Sequence, residues 1–367
     1  MRLDRVQRVM SREEIKGILL FDPFNIRYLT GYKPGGVLGS SVAVLSQEKE
    51  PWLIVPQAEL KLATSSSWFQ NIFGYHRQGT PETKHTLFNR LQEAIEQHKL
   101  QSIDIGVELN YISARRFEEL KRLLPDAGFK NITASLNDLR MIKDEAEIEK
   151  LKTATQIAEN GVRAALEFVQ PGISEIEVAA EVERTLRRAG ATGTGFPTVI
   201  TTGPRTSCSY APASRREIGP FESVIISVSA ISDDYCSNVT RTVMTGKPSK
   251  KFVTLFNCAQ DAIAKTQNQL TPETIVRDVA LRIQRIAEER ECLPYLHDTH
   301  GSSVGLQPFE PPHFIVSNET PLRPGMVFTI ECGLFKPDVG GVYLSNTNVF
   351  HRDGTFETLN QIPLETI

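Results

Sequence analysis

The sequence predicts an α/β (α+β) protein of two domains, on the strength of three features. At 367 residues the chain is long enough for two complete cores. Residues 1–139 alternate short apolar runs with helical stretches, as an α/β layer requires. Residues 140–367 combine long amphipathic helices with strand pairs joined by tight turns, the pattern of helices packed on a hairpinned sheet. The 40% hydrophobic and 23% charged fractions are those of an ordinary soluble globular chain. A net charge of -3 makes no electrostatic case for nucleic acid or an anionic membrane as a partner.

In order, an amphipathic helix is expected from Arg5 to Met10, continuing through Glu13, and then a buried strand at 18–21 closed by Asp22-Pro23. Further strands are expected at 41–45, 52–55, 71–74 and 103–107, and helices at 59–63, 82–97 and 113–124, giving a mainly parallel or mixed sheet. Beyond residue 140, Ile148, Leu151, Ala154, Ile157, Ala158, Val162 and Ala165 recur at helical spacing. Pro171-Gly172 breaks that helix. Ser174 and Glu177 form a capping box for the next, and Gly190 supplies its left-handed stop. Another helix should begin near Ser249, and Thr271-Pro272 should open the one after it with a cap and a first-turn proline.

The amino terminus mixes charges with only a short apolar run, so it lacks the core of a secretion signal, and no later segment approaches a membrane span. A cytoplasmic location is expected. Cys208, Cys236, Cys258, Cys292 and Cys332 are scattered and odd in number, which favours buried or half-buried free thiols over a disulfide framework or zinc knuckle.

The stretch from Ser223 to Thr242, SVIISVSAISDDYCSNVTRT, organises the second half: apolar Val224, Ile225, Ile226 and Val228 suggest a buried strand, Ser232-Asp233-Asp234 a turn, and 235–243 the returning strand. Tyr235, Ser237, Thr240, Arg241 and Thr242 stand in register with G-Y-x-S-D-x-T-R-T, the signature hairpin of the pita-bread metallohydrolases, which include creatinase, prolidase and aminopeptidase P. The sequence resembles that family elsewhere too. Asn25-Ile26-Arg27-Tyr28-Leu29-Thr30-Gly31 is similar to a segment of the creatinase amino-terminal domain, and Leu139-Arg140-Met141-Ile142-Lys143 to the junction before the catalytic-type domain. Pro324-Gly325-Met326-Val327-Phe328-Thr329-Ile330-Glu331 matches P-G-M-x-x-T-I-E. The resemblance implies a creatinase-like amino-terminal domain over 1–139 and a pita-bread domain over 140–367.

Carried over position by position, the resemblance puts Ser227 and Asn238 where the family has metal-binding aspartates, Ser302 where it has a histidine, and Ser345 where it has a glutamate. Glu331 is the one ligand position that keeps its carboxylate. A second family histidine becomes Phe309, and the general-base histidine of creatinase falls on Ser209 or Tyr210. His297 and His300 precede the Gly301-to-Leu306 motif, whose glycines fix Ser302 in the histidine's register. Arg241 and Tyr235 read as structural. Hard divalent ions need anionic oxygen ligands, so no metal and no other cofactor is expected. The implied function is a metal-independent enzyme acting on a small polar, nitrogen-containing molecule by C–N bond hydrolysis or related chemistry. Glu331 is its catalytic residue, and Ser209, Tyr210, Ser227, Asn238, Ser302, Phe309 and Ser345 are its substrate-binding residues. The ligand should be neutral or cationic, and the resemblance implies a homodimer. A non-catalytic binding or interaction protein is the alternative reading, and a residual Xaa-Pro metallopeptidase the third.

Overall fold

The apolar runs of the first half are too poor in polar residues to face water on either side, and they pair into one covered sheet. The computed structural model describes residues 2–36, 39–77 and 86–364. The chain divides into two units, Met1–Arg140 and Met141–Ile367. The first contains, in order, α1 (Arg2–Arg12), β1 (Gly17–Leu20), α2 (Pro23–Thr30), β2 (Val42–Ser46), β3 (Trp52–Pro56), α3 (Leu60–Ser66), β4 (Asn71–Tyr75), α4 (Leu87–His98), β5 (Ile105–Val107), α5 (Ala114–Leu123), β6 (Phe129–Asn131) and α6 (Thr133–Met141). The strand order is β4-β3-β2-β1-β5-β6. β1 runs antiparallel to β2 and β2 to β3, whereas β3–β4, β1–β5 and β5–β6 are parallel, so the sheet is mixed. The helix expected over 82–97 is seen from Leu87, and 82–85 lie outside the described residues.

The second unit begins with α7 (Glu145–Phe168) and α8 (Glu175–Arg188). Asp144 caps α7 by accepting from Glu147 N–H at 2.9 Å, and Ser174 N–H donates to Glu177 Oε2 at 2.9 Å at the start of α8. Strands β7 (Gly193–Thr194), β8 (Val199–Thr202), β9 (Ser223–Val228), β10 (Ala230–Ser232), β11 (Tyr235–Cys236) and β12 (Val239–Met244) follow, then α9 (Lys250–Gln267) and α10 (Val276–Glu289). The chain closes with β13 (Ser302–Ser303), β14 (Glu310–His313), β15 (Val327–Lys336), β16 (Gly340–Phe350) and β17 (Phe356–Thr358). The main sheet runs β14-β13-β15-β16-β12-β9-β8, with β17 on β16.

Two expectations need correction. The helix assigned to Thr271-Pro272 starts four residues later, with Ile275 at its cap. Glu273 N–H donates to Leu322 O, Leu322 N–H to Thr274 O, and Ile275 bridges to Pro321, while Thr274 N–H donates to Thr271 O and Thr271 N–H to Thr274 Oγ1 at 3.0 Å, so this segment is an extended turn. The returning strand expected over 235–243 is broken. Asp233 and Asp234 adopt φ of 44° and 79°, making the tight two-residue hairpin between β10 and β11, but this hairpin joins β7 through β10 in a separate sheet. The main-sheet strand resumes only at Val239, which leaves Asn238 at the break.

Alternation along the long strands explains both faces of the main sheet. Phe328, Ile330, Cys332 and Leu334 of β15 join Val342 and Leu344 of β16 in a buried cluster with α9 and α10. Val224, Ile226 and Val228 of β9 and Val239 and Val243 of β12 pack with α7 and α8. Each such side chain contributes about 1.5–3 kcal/mol by burial. The intervening residues, Ser227, Thr240, Ser345, Thr329 and Glu331, therefore turn to the opposite face. Arg241, on the helix side, is fully buried and donates to Ile362 O, Pro363 O, Ser345 O and Asn346 Oδ1, fastening the carboxy-terminal segment. Burial brings its pKa down to about 10.

In the first unit, the Asn25-to-Gly31 motif is built around another buried charge. Asp22 caps α2, Gly31 ends it in the left-handed conformation at φ 77°, and Asn25 joins Arg140 to Glu108, accepting from the arginine at 3.1 Å and donating to the carboxylate at 2.6 Å. Glu108 also accepts from Phe21 and Asp22 N–H at 2.6 and 2.8 Å, yet burial outweighs these bonds and pushes its pKa up to about 7. A raised carboxyl pKa favours the folded state at low pH, and that stability is lost as pH rises from the ordinary value near 4.5 through about 7. By linkage the loss is about 3 kcal/mol. Urea unfolding across pH 5–8 is expected to show this decline, with a clearly shallower slope in Glu108→Gln. An identical slope in the two proteins would rule out Glu108 as its source.

Candidate functional site

Strand register assembles the site. Glu331 pairs with Ser345, Ser345 with Thr240, and Thr240 with Ser227, so four strands place these residues in one row on the face opposite the helices. Ser227 and Thr240 share a hydroxyl–hydroxyl hydrogen bond at 2.7 Å. Ser345 Oγ accepts from Thr240 N–H at 2.8 Å. The serine oxygens at two of the expected positions are thus engaged within the sheet.

Glu331, at the end of the row, is almost wholly buried. Its Oε1 accepts from Asn238 Nδ2 and Thr329 Oγ1, each at 2.8 Å, and Oε2 accepts from Tyr343 OH at 2.5 Å. Asn238 reaches it because the break before β12 frees that residue from regular pairing. Burial raises the Glu331 pKa, opposed by the hydrogen bonds from Tyr343, Thr329 and Asn238 and by the nearby His297 ring. Tyr343 OH in turn lies 2.6 Å from Tyr210 OH, so a chain of three hydrogen-bonded groups leads from the buried carboxyl to a ring that is 43% exposed. Burial first, and then the Glu331 charge, drives both phenol pKa values up, keeping both hydroxyls protonated as donors.

A cavity of about 340 Å³ opens over this carboxyl, lined by Tyr210, His297, Thr299, Gly301, Ser302, Phe309, His313 and Glu331. Of the residues singled out from sequence, Glu331, Tyr210, Ser302 and Phe309 line it. Asn238 lies behind Glu331, Ser227 and Ser345 lie within the row, and Ser209 is exposed on its loop. Tyr210 is therefore the member of the Ser209/Tyr210 pair that faces the cavity. Its φ of 59°, unusual for a bulky residue, turns the ring inward over Tyr343. His297 belongs to the lining, whereas the His300 ring is fully buried with neither nitrogen hydrogen-bonded, and burial lowers its pKa to about 4. The expectation that Cys208 would be buried or half-buried is corrected, since it is exposed beside Ser209; the other four cysteines are buried.

Glycines and a buried ion pair hold the lining loops. A Cβ on Gly301, whose φ is 135°, would stand 2.1 Å from Thr329 O, and one on Gly305 would stand 2.5 Å from Glu310 Oε2. Glu310 pairs with Lys143 Nζ at 3.4 Å, joining two sequence-distant motifs inside the unit. Ser302, between the glycines, has a buried hydroxyl with no hydrogen-bond partner, and it lines the cavity. Such a hydroxyl has capacity for one more polar partner on the cavity side.

The donor set does not fit a pair of divalent metal ions. Of Ser227, Asn238, Ser302, Glu331 and Ser345 only one is anionic, and Asn238 presents its N–H side to that one. Among the described residues no group of three or more His, Cys, Asp or Glu side chains is placed to hold a metal. Tyr343 was not legible as a site residue, because none of the expected ligand positions falls on it. The signal was there nonetheless, since Tyr343 lies two residues before Ser345 on one strand and thus shares its face.

Removing one donor tests this network. Tyr343→Phe is expected to raise the apparent pKa of Glu331 further, followed by ¹³C-carboxyl NMR, because the charged form loses a hydrogen bond. An unchanged titration would show that the phenol does not stabilise the carboxylate.

Residues 2–142 match the Creatinase/Prolidase N-terminal domain, and residues 149–351 match Metallopeptidase family M24. The Xaa-Pro dipeptidase of Pyrococcus horikoshii is 28% identical over 96% of this chain and 95% of its own length, and that of Pyrococcus furiosus 29% identical over 96% of each. The crystal structure of the prolidase from P. horikoshii OT3 superposes with a TM-score of 0.90 at 27% identity, covering 100% of this chain and 99% of that one. The creatinase-like α/β domain, the curled antiparallel sheet and these matches together show that the chain belongs to metallopeptidase family M24, with the pita-bread fold.

Proposed function

We propose that this protein is a metal-independent hydrolase of the C–N bond in small, dipeptide-like or amine-bearing molecules, with Glu331 as its acid–base group. The observation that carries this reading is one carboxyl, desolvated and held by three donors, at the floor of a cavity, with neutral residues at the other expected ligand positions. The names of the Xaa-Pro dipeptidase relatives support an amide C–N bond in a small substrate. A raised carboxyl pKa suits general-base work nearer neutrality. Oε1 already accepts two hydrogen bonds, whereas Oε2 accepts one and keeps a lone pair for the attacking water.

In this scheme Oε2 takes a proton from water as the new C–O bond forms. His297, on the cavity wall, gives a proton to the nitrogen as the C–N bond breaks. Ser302 Oγ, free of other partners, holds the substrate. The Tyr343–Tyr210 chain steadies the carboxylate and links it toward solvent. The second reading, a non-catalytic small-molecule binding protein, draws on the saturation of Oε1 and on the serines turned into the sheet.

Release of amine from a panel of small amides, amidines and Xaa-Pro dipeptides, measured with and without a chelator, separates these readings. Activity unaffected by chelation and reduced at least about a hundredfold in kcat/KM by Glu331→Gln is expected. The rate should rise with pH through a pKa above the ordinary carboxylate range, since the base works only when ionised. Turnover that needs added divalent metal and survives Glu331→Gln would overturn the proposal.

A further inference from the structure

The cavity walls carry more chemistry than hydrolysis requires. Phe309 and Tyr210 meet at 90° with ring centroids 6.4 Å apart, forming a corner. Phe196 stacks on Phe309 at 5.6 Å, and Tyr343 buttresses Tyr210 at 5.8 Å, so neither ring is free to swing away. Both large rings are nevertheless exposed, Phe309 by 36% and Tyr210 by 43%. Rigid, half-open aromatic faces around a single negative charge are the arrangement that attracts a cation by its electrostatic field and not by hydrogen bonds.

Hydrogen-bond capacity narrows the cation further. The lining contains no lysine or arginine, and His297 is the basic lining group whose field reaches Glu331. Its carboxylate is occupied by Asn238, Thr329 and Tyr343, leaving one lone pair on Oε2, and Ser302 Oγ is the buried hydroxyl of the described lining left without a partner. A primary ammonium brings three N–H donors and a guanidinium five, more than these acceptors satisfy, and a buried unsatisfied donor is costly. An alkylated ammonium brings one donor or none and covers its charge with apolar methyl or methylene groups that the rings accept.

Building on the reading of this cavity as a substrate pocket, we propose that it selects a tertiary or quaternary ammonium group, seated in the Tyr210–Phe309 corner with its charge toward Glu331. Calorimetric titration with choline, its neutral isostere 3,3-dimethyl-1-butanol and the primary amine ethanolamine tests this. Choline should bind about tenfold more tightly than either of the others. Phe309→Leu, which keeps bulk and removes the ring, and Tyr210→Leu should each weaken choline about tenfold while leaving the melting temperature close to that of the wild type. Glu331→Gln should abolish the preference of choline over its isostere. Equal affinity for choline and the isostere, tighter binding of ethanolamine, insensitivity to both ring substitutions, or no choline binding at millimolar concentration would overturn the assignment. Choline selectivity without turnover of any amide would uphold the pocket and remove the hydrolase reading, and turnover without selectivity would do the reverse.

Discussion

The register of β9, β12, β16 and β15 is the constraint on which the site depends. It sets Ser227, Thr240, Ser345 and Glu331 side by side, and because side chains alternate, a slip of one residue in any strand would move its member of the row to the helix side. That slip is opposed by the apolar residues between them. Ile330 and Cys332 flank Glu331 in sequence and are buried against α9 and α10, so the hydrophobic core enforces the position of the carboxyl.

With the register fixed, the energetic problem is a carboxyl removed from water with no cation hydrogen-bonded to it. Three donors reduce the cost, and each comes from a residue the same sheet places within reach: Thr329 two positions earlier on β15, Tyr343 on the neighbouring β16, and Asn238 at the break before β12. Asn238 stands where the family resemblance expects an aspartate. Its carboxamide replaces like-charge repulsion with a donated hydrogen bond. Ser227 and Ser345 resolve the same problem differently, since a hydroxyl small enough to bond to a neighbour on the next strand leaves no orphan behind.

Much of this was legible in the sequence because it is local or periodic. The β9 strand, the Ser174–Glu177 cap, the Ser249 helix start and the survival of Glu331 in P-G-M-x-x-T-I-E follow from short-range rules or from motif register. What escaped was decided by distant partners. Thr271-Pro272 has a helix-opening pattern, but pairing of the following residues with 321–322 captures the backbone first. The inward turn of Tyr210, and not Ser209, depends on a positive φ and on Tyr343 more than a hundred residues later. The separation of His297 from His300 depends on where the Gly301 loop crosses β15, which no spacing rule supplies.

Under the proposed function, register, charge and chemistry meet in one carboxylate standing where the family resemblance expects a metal-binding cluster. Metal content after dialysis against excess Mn²⁺ or Co²⁺ and then metal-free buffer, read by elemental mass spectrometry, addresses this reading directly. A single buried carboxylate with Ser227, Asn238, Ser302 and Ser345 around it should retain well below about one ion per chain. Retention of about two ions per chain, lost on Glu331→Ala, would contradict it.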